Sequence, residues 1–340
     1  MTILVTGSAG HLGEALVRTL RDRGAAVRGL DLRPSPYTDP VADLRDPVAV
    51  RSAVRGVEAV LHAATLHKPH VATHRKQDFI DVNVSGTLNV LEAAVAEGVG
   101  TVVFTSTTSV YGRAMALPPD AREAVWVDES LTPIPKNIYG ATKRAAEDLC
   151  ELFHHLHGLA CVVLRTSRFF PEDDDDAGRR AAYASDNLKA NELLFRRADL
   201  ADMVTAHLCA LERAPALGFG RYVVSARTPF GRQETAALLE NAPAVVARHF
   251  PGFEAAYAAA GWRMFPSIGR VYDSAAARAA LGWTPRYDFA HVLGCLERGE
   301  APGSPLARAV GAKGYHDQVF GDGPYPVEEG ARAGSGADVG

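Results

Sequence analysis

The chain is short of cysteine, with four in 340 residues. Those four (Cys150, Cys161, Cys209 and Cys295) stand far apart among core-like residues. That is not the spacing of a disulfide framework, and it reads as buried free thiols in a reducing compartment. Positive charge is not in excess either. Against 40 Asp and Glu there are 36 Lys and Arg, a net charge of -4, which argues against a general nucleic-acid or membrane-surface binder. No apolar run approaches the roughly 20 residues that span a bilayer, so no membrane association is expected. Residues 1–7 lack a basic stretch and a cleavage site; they read as a first strand rather than a secretory signal, and a cytoplasmic protein is expected. No internal repeat is visible. What the chain has is bulk: 47% hydrophobic and 22% charged residues over its whole length. That suffices for two lobes, since single cores seldom grow past about 250–300 residues.

Residues 1–165 alternate short β-branched runs with helical patterns. Runs at 3–6, 26–30, 59–62, 101–105 and 160–164 lack polar alternation, as parallel strands covered on both faces do. Between them Leu12, Leu16 and Leu20 recur at i+4 in a helix over 12–23, and Leu88, Leu91 and Val95 form a stripe over 84–97. This order predicts a doubly wound α/β sheet. After Arg165 the rhythm breaks. The acidic run 171–176 reads as a solvated loop, and helices are expected over 200–212, 232–241, 274–281 and 289–298. A smaller substrate lobe over 166–320 is expected, with some chain returning to the sheet, and a poorly ordered tail from 321 to 340.

The strongest local motif is Gly7-x-x-Gly10-x-x-Gly13, following a strand and opening a helix. Gly7 permits the tight turn, Gly10 lets the backbone approach a pyrophosphate, and Gly13 lets helix and strand pack closely. Asp31 ends the second strand, where a carboxylate accepts from ribose hydroxyls and repels a 2′-phosphate. NAD is therefore favoured, with Arg33 leaving NADP as the alternative. Asp43 and Leu44 suit an adenine, the carboxylate toward its amino group and the apolar side chain on its ring; a plain turn is the other reading of Asp43.

Tyr139-x-x-x-Lys143 opens the helix before the fifth strand, a spacing that puts phenol and ammonium on one face. Thr105-Ser106-Thr107-Thr108 ends the fourth strand, at the carboxyl edge where open α/β sheets hold ligands. Together these suit hydride transfer. A tyrosine with a reference pKa near 10 must reach about 7 to act as a base, which takes about 4 kcal/mol of anion stabilisation. Lys143 and the positive nicotinamide ring are expected to supply it, while Thr107 holds the substrate oxygen.

These stretches, with His62-Ala-Ala64, Asn83-Val-Ser-Gly-Thr87 and Val110-Tyr-Gly112, resemble the extended short-chain dehydrogenase/reductases, and within them the NAD-dependent epimerase/dehydratase family. The likeness runs continuously over about 1–170 and resumes at Asp199-Leu-Ala-Asp202 and at Leu281-Gly-Trp-Thr-Pro285. It implies a Rossmann domain, a small C-terminal substrate domain, and Thr107, Tyr139 and Lys143 as the catalytic set. It also implies cofactor contacts from Gly10, His11, Leu12, Asp31, Asp43, Leu44, Ala63, Ala64, Asn83, Thr105 and Ser106.

The departures are as informative. Dehydratases of the family place an Asp-Glu pair after the catalytic threonine; here Thr108 and Ser109 stand there, so 4,6-dehydratase chemistry is not expected. Arg168 stands where a sugar-binding asparagine is usual, and the diphosphate-pairing arginine is displaced, with Glu192 nearest its place. Arg168, Arg196 or Arg197 is expected to hold a substrate carboxylate or phosphate, exposed helix-flanking arginines being the alternative for the last two. Thr107, Thr108 and Arg168 are thus the expected substrate contacts. His67, His70 and His74 show no fourth ligand, so no metal site is expected there; contact of His67 or Lys68 with cofactor or substrate stays open. His154, His155 and His157 read as a solvated helix end, and Trp126, Trp262 and Trp283 as packing residues.

The leading expectation is an enzyme that oxidises a secondary alcohol of a sugar or sugar nucleotide through a transient ketone, with epimerisation as outcome. A net dehydrogenase of a smaller polar alcohol or ketone is the second, and a non-catalytic dinucleotide sensor the third. A homodimer is expected through the helices over 84–97 and after Tyr139. In the latter, Ala145, Leu149, Leu152 and Leu156 are expected to cover the sheet, with Ala146, Cys150 and Phe153 as surplus apolar surface. Cofactor choice is directly testable. NAD should bind at least tenfold tighter than NADP, about 1.4 kcal/mol, and Asp31→Ala should narrow the gap; equal dissociation constants by calorimetry would overturn the assignment.

Overall fold

The computed structural model describes residues 1–314, and the tail expected from residue 321 lies outside them. Strand β1 (Thr2–Thr6) leads into α1 (His11–Asp22), followed by β2 (Ala26–Leu30), α2 (Pro47–Val54) and β3 (Ala59–His62). A short helix α3 (Lys76–Phe79) and a wide π-helical turn over Ile80–Ser85 precede α4 (Gly86–Ala96). Then come β4 (Thr101–Thr107), β5 (Val125–Val127), α5 (Ile138–His157) and β6 (Ala160–Thr166). The rest supplies α6 (Ala177–Ala182), α7 (Ser185–Leu193), α8 (Leu200–Leu217), β7 (Phe219–Val224), α9 (Thr235–His249) and α10 (Phe253–Ala259). It closes with β8 (Arg270–Tyr272), α11 (Ala275–Leu281), α12 (Phe289–Arg298) and α13 (Pro305–Val310).

Six strands pair in parallel in the order β2-β1-β3-β4-β6-β7, and β5 pairs with β8 apart from them. The order reverses between β1 and β3, and this opens a crevice at the carboxyl ends of those strands. Past their last apolar side chains, Phe104 and Leu164, β4 runs on for three residues and β6 for two, because pairing continues to Thr107↔Thr166. Thr105, Ser106, Thr107 and Thr166 thus carry hydroxyl groups to the sheet edge. On one face Leu12, Leu16 and Leu20 of α1 pack with Met203, Val204 and Leu208 of α8; on the other, Val50, Val90, Leu91, Cys150 and Phe153 cover the sheet. A third core, with Leu238, Phe253, Tyr257 and Phe289, fills the later part of the chain.

Two carboxylates stitch that later part to the sheet. Asp199 caps α8, accepting from Ala201 N at 2.7 Å, and also accepts from Ser304 N at 3.0 Å. Asp202 accepts from Arg286 N at 2.8 Å and Tyr287 N at 2.9 Å, while Trp283 Nε1 donates to Thr205 at 3.0 Å. All four cysteines are free.

Three expectations are corrected. In α5 the stripe against the sheet is Ala146, Cys150 and Phe153, while Leu152 and Leu156 point outward, 46% and 65% exposed. The error has a physical source: the inward stripe begins with the polar Tyr139 and Lys143, so counting apolar side chains selects the wrong face. In α4 the buried face runs through Thr87, Val90, Leu91 and Ala94, leaving Leu88 half-buried and Val95 exposed. Finally, the acidic run 171–176 is no solvated loop. Asp174 is buried and held by Arg168 at 2.8 Å, Asp175 pairs with Lys68, and Glu172 reaches His11 Nε2 at 2.7 Å. Polar partners at His11 and Lys68, from elsewhere in the chain, and at Arg168, a few residues upstream, fold it down. The helix expected over 232–241 continues to His249 with a bend at Asn241, two residues before Pro243.

Glu192 near the end of α7 is fully buried and accepts from Arg196 and, at 2.8 Å, from Arg197. Burial pushes its carboxyl up, but Arg196, Arg197 and Arg168 outweigh that and bring it down to about 2. A depressed carboxyl contributes stability above its unfolded value, near 4.5, and loses it as pH falls toward 2. Glu192→Gln should therefore cost about 3–5 kcal/mol at pH 7, since the buried Arg197 and the half-buried Arg196 lose a shared carboxylate. The gap to wild type should close between pH 4.5 and 2 in urea unfolding; a gap independent of pH would refute the assignment.

Candidate active site

The turn after β1 is fixed by close approach. Gly7 has φ of +74°, and a Cβ there would stand 2.7 Å from Ala64 N; one on Gly13 would stand 1.9 Å from Gly7 O. Only glycine fits either place. Helix α1 then starts with no side-chain cap at Gly10, so its first N–H groups and positive dipole end face a cleft of about 340 Å³. Gly7, Gly10, His11, Leu12 and Gly13 line this end. Asp31 is aimed by two backbone donors, Ala9 N at 3.0 Å and Arg33 N at 2.9 Å. It lines the cleft with Asp43 and Leu44. Arg45 chelates the Asp43 carboxylate and holds its pKa below the ordinary range. Ala63 and Ala64 line it beside Gly7, and Thr105, Ser106 and Tyr139 line it as well.

An uncapped helix end, a carboxylate beside it and an apolar slot at Leu44 fit a dinucleotide. Pyrophosphate would rest on the Gly7–Gly13 turn, ribose hydroxyls on Asp31, and the far base at Tyr139. Asn83 does not line the cleft. Its Oδ1 accepts from Leu66 N at 2.8 Å, and its Nδ2 donates to Leu66 O at 2.8 Å and Thr142 Oγ1 at 3.1 Å. It fixes the loop that carries Ala63 and Ala64. His67, His70 and His74 do line the cleft, their rings 4.9 Å apart in sequence. Among the described residues no three His, Cys, Asp or Glu are grouped to hold a metal ion.

Tyr139 is the second residue of α5, whose first turn is capped by Asn137 Oδ1 accepting from Gly140 N at 3.0 Å. Burial pushes the Tyr139 phenol up to about 12, relieved in part by a hydrogen bond with Thr107 at the end of β4. Lys143 is buried one turn further on, its Nζ 3.9 Å from the centre of the Phe104 ring. Burial brings the ammonium down to about 7, against the opposing pull of Cys150 and Glu147. His62, buried and near Lys143, drops to about 3 and is neutral. Thus burial and Thr107 set the acidity of the phenol, and Lys143 lies over Phe104 rather than acting on Tyr139 as the sequence leads one to expect.

Tyr139 also lines a second cleft, of about 230 Å³, with Thr107, Thr108, Ser109, Lys68 and Arg168. Phe169 and Phe170 line both clefts. The arginines expected to be available for an anion are engaged. Arg168 donates to Asp174 at 2.8 Å and Asp175 at 3.2 Å, and Arg196 and Arg197 both grip Glu192. Neither Arg196 nor Arg197 is an exposed flanking residue, because Glu192 lies buried between them. Sequence reasoning missed Glu172, Phe170 and Arg270. Only the Phe169-Phe170-Pro171 run after β6 signalled chain crossing the sheet edge; Arg270 comes from β8, about a hundred residues from β6 in sequence, and nothing local marked it.

The family model described as "NAD dependent epimerase/dehydratase family" matches residues 3–224. Uronate dehydrogenase of Pseudomonas putida is 28% identical over 176 residues, 50% of this chain and 62% of that protein. UDP-glucuronate 4-epimerase 3 of Arabidopsis thaliana is 28% identical over 184 residues, 48% of this chain and 41% of that one. The match therefore spans about two fifths to three fifths of these relatives. A short-chain dehydrogenase/reductase superfamily protein from Agrobacterium tumefaciens, solved with bound NAD, superposes with a TM-score of 0.62. It is 24% identical, and the match covers 88% of this chain and 98% of that one; this likeness is one of fold. No helix among the described residues is long and apolar enough to cross a membrane.

Proposed function

The chain belongs to the NAD-dependent epimerase/dehydratase family, and from that premise we propose that it oxidises a secondary alcohol of a sugar or sugar-derived substrate through a transient ketone. One observation carries the reading: Tyr139 lines both the dinucleotide cleft and the second cleft, and Thr107 lines the second beside it. A hydroxyl seated in the second cleft meets a proton acceptor and a hydrogen-bond partner together. NAD, held by the Gly7–Gly13 turn and Asp31, supplies the hydride acceptor at its nicotinamide ring. Thr107 fixes the substrate oxygen, and Tyr139 takes the hydroxyl proton as the carbon–hydrogen bond breaks. Phe169 and Phe170, shared by both clefts, exclude water from the junction.

From about 12, the phenol must fall roughly five units to ionise at neutrality, about 7 kcal/mol. Thr107 supplies part. The cation of the oxidised cofactor, with Lys143 turned from Phe104 toward the ribose, is the remaining source of stabilisation. Tyr139→Phe should lower turnover by about a hundredfold or more while NAD still binds. Lys143→Ala should damage both binding and turnover. Near-normal turnover of Tyr139→Phe would assign the base elsewhere.

Epimerisation follows if hydrogen returns to the other face of the ketone, and net oxidation if the ketone leaves. The second outcome, on a smaller polar substrate, is favoured by the engagement of Arg196 and Arg197 with Glu192, which leaves no arginine pair there for a diphosphate. Absorbance at the reduced-nicotinamide band separates them, because an epimerase accumulates no reduced cofactor. The chain is further proposed to act as a homodimer through the outward faces of α4 and α5. Leu152, Leu156 and Val95 supply exposed apolar surface there. Sedimentation at micromolar concentration should give twice 36.2 kDa, and the monomer mass would refute this.

A further inference from the structure

Glu147 lines neither cleft, yet it touches every strand that carries the chemistry. It follows Lys143 by one helical turn on α5 and is fully buried. Ser106, in the middle of the hydroxyl-bearing end of β4, donates its Oγ to Glu147 Oε1 at 2.5 Å. Arg165 of β6 grips both carboxylate oxygens, Nε to Oε1 at 3.1 Å and Nη2 to Oε2 at 2.7 Å. Arg221 of β7 stands 3.5 Å from Oε2. Beyond it, Arg165 Nη1 donates to Tyr111 Oη at 3.0 Å, and the Tyr111 hydroxyl donates to the Asp128 carbonyl at 2.8 Å. One carboxylate thus sets the register of α5 against β4, and with it the meeting of Tyr139 with Thr107. A buried ion pair is a poor device for stability alone, since the desolvation of both ions offsets most of their attraction.

The surroundings of Lys143 give the carboxylate a second task. On α5 the ammonium has Glu147 and Cys150 as titratable neighbours, with Tyr139 one turn before it; β3 presents His62 and β4 the Phe104 ring, while β6 acts at one remove, Cys161 on Cys150 and Arg165 on Glu147. His62 is neutral. The Cys161 thiol and burial push Cys150 well above its ordinary range, so it too is uncharged near neutrality. Tyr139 is a neutral phenol, and Arg165 has the wrong sign. Glu147 is left, among the described residues that act on Lys143, as the one anion.

We propose that Glu147 is a positioning residue that clamps the helix bearing Tyr139 and Lys143 to the strand bearing Thr107, and serves as the counter-ion that keeps Lys143 charged. The inference rests on the hydride-transfer reading, which makes Lys143 a working group, but its test does not need turnover. The six lysines of the chain are labelled with 13C at Cε, the Lys143 resonance is identified by its loss in K143R, and each variant is titrated without cofactor. E147Q should lower the Lys143 midpoint by at least about one pH unit, a tenfold drop in the ratio of charged to neutral amine. E147D, which keeps a carboxylate, should restore it. If E147Q does not fold, E147Q/R165Q is titrated in its place with the same expected shift, because removing both partners of a buried pair is better tolerated than removing one. Arg165 does not figure among the charges acting on Lys143. An unshifted midpoint overturns the proposal and leaves the hydride-transfer reading standing. Failure of every sugar either to reduce NAD or to be epimerised sinks that reading and leaves the lysine midpoint intact. With a substrate in hand, the pH profile of kcat in E147Q should move in the same direction; a scaled but unshifted profile marks a merely architectural role and overturns the proposal.

Discussion

Helix α5 lays a polar stripe, Tyr139, Lys143 and Glu147, against the inner strands of a sheet covered on both faces, and much of the molecule is arranged to make that burial tolerable. Ionisable groups lose hydration there, and the directions of their shifts record it: the phenol is driven up, the ammonium down, His62 down. Each group is held by a specific neighbour rather than by water. Thr107 meets the phenol, the Phe104 ring meets the ammonium, and Ser106 with Arg165 meets the carboxylate. The extension of β4 and β6 beyond their apolar cores is what places those neighbours.

The same accounting of charge shapes the second cleft. Arginines that look from the sequence like substrate ligands are satisfied within the chain, by Asp174, Asp175 and Glu192. The acidic run after β6 is thereby turned from a solvated loop into a roof, which also reaches His11 at the start of α1 through Glu172. The two clefts consequently share a wall, and Phe169 and Phe170 belong to both.

How much of this was legible in the sequence depends on whether the governing contact was local. The five strands over residues 1–165, the Gly7–Gly13 turn and the placing of Asp31 follow from patterns a few residues long, and the sheet matches them. The inward face of α5 was misread because its sheet-facing positions are polar for chemical reasons, so hydrophobicity ranked the wrong side first. The roof of acids was misread because two of its partners, His11 and Lys68, come from distant places in the chain, and the local one, Arg168, was read as a substrate ligand. Asn83 belongs to the same class: its task, fixing the loop at Leu66, depends on a contact 17 residues back. The two resumed stretches, Asp199–Asp202 and 281–285, were legible as motifs, but only their hydrogen bonds explain them as one joint between α8 and the later chain.

Strand β7 returns from residue 219 to pair with β6 along its whole length. The chain between residues 166 and 219 is therefore a loop thrown out from between two adjacent strands of one sheet rather than an appendage. A fragment cut after residue 166 would present β6, seven buried residues with no partner on one side, as an open edge. Such an edge is a template for pairing with another chain. The chain beyond β6 thus also acts as the sheet's edge guard, besides lending Phe169 and Phe170 to the wall of the cleft.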